Sequence, residues 1–338
     1  VGVNSVVFGC KGHSLTDWEK GFFSEVKPYG YILFARNCDT PGQIKNLISE
    51  LKSLSGNDDL PVLIDQEGGR VARLRPPHWR KTPPAAIFGQ IFDQDQEKAL
   101  RATYLNACLI AYELRELGVT ADCAPVLDLT IPGAHEIVGD RSYGARPEKV
   151  ATIGAKVVEG FLHVGIMPVV KHLPGHGRAT VDSHKELPRV DTSRDELSSH
   201  DIKAFKLLNS APWGMTAHVI YEAIDPQNIA TVSPTVIKQV IRDEIGFEGI
   251  LLSDDLSMKA MAGTYEERAK AALSAGCDLA LHCNGDQQEM LSVAKGLIEV
   301  DTTKAGRLNK AWKLRQDNHI EWNLVLDELT EIISPYWS

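Results

Sequence analysis

The sequence lacks an excess of positive charge: 36 Lys and Arg stand against 45 Asp and Glu, a formal net charge of −9. No basic stretch interleaved with aromatics offsets this, so electrostatic binding of nucleic acid is disfavoured. Long apolar runs are absent too. None approaches the ~18 residues a membrane span needs, and the first residues carry neither the basic nor the apolar region of a signal peptide. Cysteine is sparse, and Cys10, Cys38, Cys108, Cys123, Cys277 and Cys283 form no CxxC and no metal-ligand spacing. They read as reduced core residues of a cytoplasmic protein. Internal repeats, low-complexity tracts and Pro/Ser-rich linkers are missing as well, so residues 1–338 are expected to form one domain. What remains is an ordinary globular composition, 43% hydrophobic and 24% charged. A body of this length buries roughly 75% of its unfolded surface without disulfide support. These exclusions leave small-molecule chemistry as the expected work of the chain, with a small-molecule substrate and no obligate protein partner.

Short β-rich runs alternate with longer amphipathic stretches, the pattern of a parallel sheet covered by helices. The runs are Val6–Cys10, Gly30–Phe34, Pro61–Asp65, Val119–Pro125, Gly165–His172, Pro212–His218, Gly249–Asp255 and Leu279–Asn284. Helix is expected over Pro41–Ser53, Asp95–Leu117, Pro147–His163, Arg194–Leu208, Ser233–Ile245, Glu266–Ala275 and Gln287–Ile298. Ser233-Pro234 is an N-cap followed by a first-turn proline, and Gly118, Gly246 and Gly276 sit where helices should stop. Eight such units predict an α/β fold, a single-domain (β/α)8 TIM barrel, rather than an open sheet. The tail from Asp301 reads as helix anchored by Trp312, Trp322, Tyr336 and Trp337.

Lined up, the strands end in residues able to do chemistry: Asp65, Lys171 with His172, His218, and Asp254 with Asp255. In a barrel those ends converge on one face, so residues distant in sequence meet around one cleft. The densest group is Lys171 to Pro188, which holds His172, His176, Asp182 and His184. Gly175 and Gly177 let that loop take positive φ or approach a ligand closely, so the segment is expected to fold back over the barrel mouth. Asp182 and His184, two apart in an extended segment, project to one side, so the carboxylate can hold one imidazole tautomer and favour its protonated form. A metal site built on His172 and His176 with Asp182 or His184 is the rival reading. Pro174 and the glycines deny it the helix that would put the two histidines on one face. At the second centre, Ser253 to Met258, an aspartate at the end of an apolar strand suits a nucleophile for a sugar's anomeric carbon. Adjacent strand side chains point to opposite faces, so one of Asp254 and Asp255 is expected to enter the cleft and the other to order the loop.

These motifs carry a resemblance that runs nearly end to end. With GYILFARN (Gly30 to Asn37), LIDQEGGRVARL (Leu63 to Leu74), APVLDL (Ala124 to Leu129), GDRSYG (Gly139 to Gly144), KHLPGHG and DSH, MTAHVIY (Met215 to Tyr221), GFEGILLSDDLSM (Gly246 to Met258) and AGCDLALHCN (Ala275 to Asn284), the chain resembles the glycoside hydrolase family 3 β-N-acetylhexosaminidases of bacterial peptidoglycan recycling. Leu173 departs from the phenylalanine usual there, a change expected to alter loop packing and not chemistry. The resemblance implies Asp254 as nucleophile, His184 as acid/base and Asp182 as its partner. It further implies that Asp65, Arg73, Arg141, Lys171 and His172 bind the hydroxyls of a non-reducing N-acetylglucosamine. The implied substrate is N-acetylglucosamine β-1,4-linked to 1,6-anhydro-N-acetylmuramic acid, with or without peptide. No cofactor and no metal is called for.

Overall fold

The computed structural model describes residues 2–133, 138–179 and 187–337. Eight parallel strands close a barrel: β1 (Asn4–Gly9), β2 (Pro28–Leu33), β3 (Val62–Ile64), β4 (Ala121–Asp122), β5 (Met167–Leu173), β6 (Trp213–Thr216), β7 (Ile250–Asp255) and β8 (Leu279–His282). Each pairs with its neighbours in sequence, and β8 returns to β1 with Val6 opposite Ala280. The expected α/β barrel is therefore present.

The strands read as continuous apolar runs because both of their faces are buried. Val7, Ile32, Leu63, Met167, Val169, Ile250 and Leu281 fill the interior, whereas Val6, Phe8, Tyr31, Leu251 and Ala280 face the helices. Full burial of each Val, Leu, Ile, Phe or Met among these side chains stabilises the fold by roughly 1.5–3 kcal/mol.

The helical layer begins with α1 (Asp17–Val26) and α2 (Pro41–Ser55). Thr16 and Glu19 form a reciprocal capping box on α1, and Thr40 with Pro41 opens α2. Between β3 and β4 lie α3 (Ala85–Gln94) and α4 (Gln96–Leu117), and α5 (Pro147–Val164) precedes β5. Helices α4 and α5 cross closely because Gly160 has no side chain; a Cβ there would sit 2.7 Å from that of Ala107.

One helix expected over 194–208 is instead α6 (Arg194–Ser199) and α7 (Asp201–Lys206), broken at His200 with φ −125° and ψ −82°. The break turns buried Asp201 toward Arg178, whose Nε donates to it at 2.6 Å. After Ser233, which accepts from the Val236 amide as the cap expected there, α8 (Val236–Glu244) is wound with i→i+5 hydrogen bonds. Helices α9 (Tyr265–Ala275) and α10 (Gln287–Lys295) follow. The tail forms α11 (Thr302–Trp312) and α12 (Trp322–Ile333). Leu308 and Ala311 of α11 join the interior cluster, and Trp312 packs on Trp213, the first residue of β6, at 5.7 Å. This helix closes the barrel at its N-terminal end. Among the described residues no helix is long and apolar enough to cross a membrane.

Candidate active site

At the opposite end, the C-terminal ends of the strands surround a cavity of about 420 Å³. Asp65, Arg73, Arg141, Lys171, His172 and Asp254 all line it. The convergence expected from strand-end chemistry is thus found in space. Arg73 follows a small antiparallel hairpin, Gln66–Gly68 with Val71–Ala72, that rises from β3. Arg141 comes from the loop between β4 and α5. Phe34, at the end of β2, lies beneath the Arg73 guanidinium, 5.0 Å from the ring centroid, and fixes its height over the cavity.

Opposite charges knit this wall together. Lys171 Nζ reaches Asp65 at 2.8 Å and Glu67 at 2.7 Å. Arg73 pairs with the other Asp65 oxygen at 3.0 Å, and Arg141 grips Glu67 with two parallel bonds of 2.8 and 2.7 Å. Burial opposes ionisation of both carboxylates. At Asp65 the neighbouring Lys171 and Arg73 outweigh it and hold the acid well below its usual range. At Glu67 it is Arg141 and Lys171 that bring the value down to about 2. Burial likewise works against the charge on Lys171, but Asp65 and Glu67 raise its pKa above the ordinary lysine value. The cluster is ionised at neutral pH and mutually neutralising, so its members present rigid, preformed polar groups to a ligand.

The third side of the cavity is organised by Asp128, whose side chain is fully buried. One oxygen accepts from the amides of His172 (3.3 Å) and His176 (2.6 Å); the other meets His172 Nδ1 at 2.6 Å. Burial opposes its charge, yet His172 and His176 hold its pKa down at about 2. The His176 ring, buried beside His172, is pushed down to about 4 by desolvation first and by its neighbour second, so it is neutral. Gly175 takes the positive φ expected of it, while the close approach at Gly177 is to backbone and not, as expected, to a ligand. Gly175 has φ +140°, and a Cβ on Gly177 would lie 2.3 Å from the Leu129 carbonyl oxygen.

Asp254 and Asp255 both line the cavity, which corrects the expectation that only one would. The pairing of β7 with β8 slips register between Leu252 and Asp255, so simple alternation ends there. Their division of labour is nonetheless clear. Asp255 accepts from the Ser257 amide (3.0 Å), the Ser257 hydroxyl (2.6 Å) and the Cys283 amide (3.1 Å), and so orders the loop. Asp254 accepts from the amide of Asp255 at 2.8 Å while its own amide bonds to Thr216 Oγ1. His218, another strand-end residue, is structural: Nε2 donates to the Asp255 carbonyl at 2.9 Å and Nδ1 pairs with Thr231.

Comparison with known proteins settles the family. The glycosyl hydrolase family 3 N-terminal domain matches residues 24–313. The β-hexosaminidase of Alkalilimnicola ehrlichii is 40% identical over 283 residues, 82% of this chain and 80% of that protein. The β-hexosaminidase of Idiomarina loihiensis is 34% identical over 88% of this chain and 89% of its own. The chain belongs to glycosyl hydrolase family 3, in its β-hexosaminidase branch. Its barrel also matches the crystal structure of NagZ from Neisseria gonorrhoeae in complex with N-trifluoroacetyl-D-glucosamine, with a TM-score of 0.87, 31% identity and 99% coverage of both chains.

Within this family 3 barrel, Asp182 and His184 lie outside the described residues. Among the described residues, no group of three or more His, Cys, Asp or Glu side chains is placed to hold a metal ion. Two functional side chains escaped the sequence reading, Glu67 and Asp128. Each left a signal: Glu67 stands two residues after Asp65 and so shares its side of an extended chain, and Asp128 is a lone charge in the apolar run APVLDL, where burial demands partners.

Proposed function

We propose that the protein is a retaining exo-β-N-acetylglucosaminidase in which Asp254 is the nucleophile. The observation that carries this reading is the position of Asp254, at the end of β7 facing a cavity walled by Asp65, Arg73, Arg141, Lys171 and His172. A carboxylate there attacks C1 of a sugar whose hydroxyls are held by the charged wall, forming a glycosyl ester. His184, oriented by Asp182, donates a proton to the departing oxygen and then removes one from the water that cleaves the ester. The roles of these two residues come from the family resemblance. The substrate is N-acetylglucosamine β-1,4-linked to 1,6-anhydro-N-acetylmuramic acid, with or without peptide, and the setting is cytoplasmic peptidoglycan recycling by a single barrel domain. The names of the relatives and the bound N-acylated glucosamine of the Neisseria enzyme support the sugar.

The deciding experiment is turnover of an aryl β-N-acetylglucosaminide by Asp254→Ala. Nearly complete loss is expected; activity within about tenfold of wild type removes Asp254 as nucleophile. Parallel assay of an aryl β-glucoside tests sugar selectivity, with the glucoside expected to be the poorer substrate.

A further inference from the structure

Asp128 does not itself line the cavity, yet it holds two histidines that do. Its bonds are unequal in kind. Oδ1 accepts two backbone amides, those of His172 and His176, which are donors under all conditions. Oδ2 faces a single ring nitrogen, His172 Nδ1, at 2.6 Å. A buried, ionised carboxylate can only accept, so that nitrogen must carry hydrogen. Among the described residues no protein group bonds the other ring nitrogen, Nε2, and the ring lines the cavity.

We propose that Asp128 is a positioning residue that fixes His172 in the Nδ1–H tautomer, leaving Nε2 as a hydrogen-bond acceptor for a hydroxyl of the bound sugar. This rests on the reading of the cavity as the sugar site. It adds a polarity to that site: beside the donors of Arg73, Arg141 and Lys171, His172 supplies an acceptor. A sugar hydroxyl can then donate to His172, a neutral acceptor, while accepting from a neighbouring cation, whereas the Asp65 and Glu67 oxygens of the wall are already engaged by Lys171, Arg73 and Arg141.

The unequal bonds make Asp128→Asn a tautomer switch. The asparagine oxygen must stay on the two backbone amides, because its NH2 group placed there would oppose two donors. The NH2 group therefore takes the place of Oδ2 and faces His172 Nδ1, which must then be the bare nitrogen. Hydrogen moves to Nε2, and the acceptor in the cavity becomes a donor, while the backbone contacts that shape the loop survive.

The test uses the full chain with 15N-labelled histidine, the His172 signals being assigned by comparison with His172→Gln. Wild type should show His172 as Nδ1–H and Asp128→Asn should show it as Nε2–H, with kcat/KM on an aryl β-N-acetylglucosaminide lowered about 10–100-fold. Adding Asp128→Asn to His172→Gln should cost less than about twofold more, since the route runs through that ring. Wild-type His172 found as Nε2–H or as imidazolium overturns the proposal without any variant. So does an unchanged tautomer in Asp128→Asn, or a full additive loss in the double variant, which marks a merely structural carboxylate. Failure of the underlying sugar-site reading looks different: wild type would then show the expected tautomer and no turnover.

Discussion

Replacing Glu67 with glutamine tests whether the charged wall is a balanced network or a set of incidental contacts. Glu67 is 6% exposed, and its partners Arg141 and Lys171 are 13% and 3% exposed, so water offers little replacement for the lost charge. Its two oxygens accept three bonds of 2.7–2.8 Å, all from cations. Glutamine keeps one oxygen but turns its NH2 group toward a donor, and the other carboxylate of this cluster, Asp65, is already bonded to Arg73 and Lys171. Breaking a buried pair from one side typically costs about 3–5 kcal/mol, because the remaining charge stays desolvated. With an unfolding entropy of about 2.1 cal/mol/K per residue over 338 residues, that corresponds to a fall in Tm of about 4–7 °C. The same loss unseats two of the side chains that line the cavity proposed to hold the sugar, so kcat/KM should drop by about 100-fold. Thermal unfolding followed by circular dichroism and turnover of an aryl β-N-acetylglucosaminide measure both. A Tm within 1 °C of wild type together with kcat/KM within about twofold would refute the reasoning.

Other perturbations probe the remaining parts of the site. Asp122 lies beneath it with one oxygen accepting from the Gln66 amide at 2.9 Å and the other buried without a partner; burial above all pushes its pKa up to about 8. Its folded form therefore holds a proton that the unfolded chain releases near pH 4, so stability erodes as pH rises from about 4 to about 8. Asp122→Asn should match wild type at pH 4 and exceed it in Tm by a margin growing to pH 8; a constant difference would contradict the assignment. The depressed groups have the opposite sign. His176, at about 4, and Glu67 and Asp128, at about 2, each contribute stability that is present above the ordinary value of the group and lost on acidification. In the Asp122→Asn background, where the opposing slope of that carboxyl is removed, Tm should fall in two stages, from about pH 6.5 to 4 and then toward 2, and His176→Gln should remove the first stage only. Gly177→Ala places a methyl group 2.3 Å from the Leu129 carbonyl oxygen, a backbone atom that cannot swing aside. It should cost about 1–3 kcal/mol and lower kcat/KM, both readable in the assays above; wild-type behaviour would show that the loop tolerates displacement.

The barrel was legible because eight apolar runs bounded by turn residues alternate with amphipathic stretches, and burial on both faces leaves a continuous signal. The strand ends were legible for the same reason: Asp65, Lys171, His172 and Asp254 interrupt apolar runs where the topology brings them together. Less visible was whatever depends on local irregularity. The register slip between Leu252 and Asp255, which brings both Asp254 and Asp255 to the cavity, leaves no mark in a pattern of period two. The break at His200 depends on a partner, Arg178, in a different segment. Glu67 and Asp128 were passed over since neither terminates a strand; their importance lies in what they hold.

Lys171 Nζ finds its carboxylate partner Asp65 106 residues earlier in the chain, and Arg141 finds Glu67 74 residues earlier. A cut between Arg141 and Lys171 would put Asp65, Glu67, Arg73, Asp128 and Arg141 on one half of the barrel and Lys171, His172, His176 and Asp254 on the other. The first half would carry three acids against two cations at its edge, and the second would carry the missing lysine. The seam of the barrel is thus keyed by charge as well as by strand pairing. A half that docked out of register would bury that lysine without its acids, so the charged residues that line the cavity also proofread the closure of the fold.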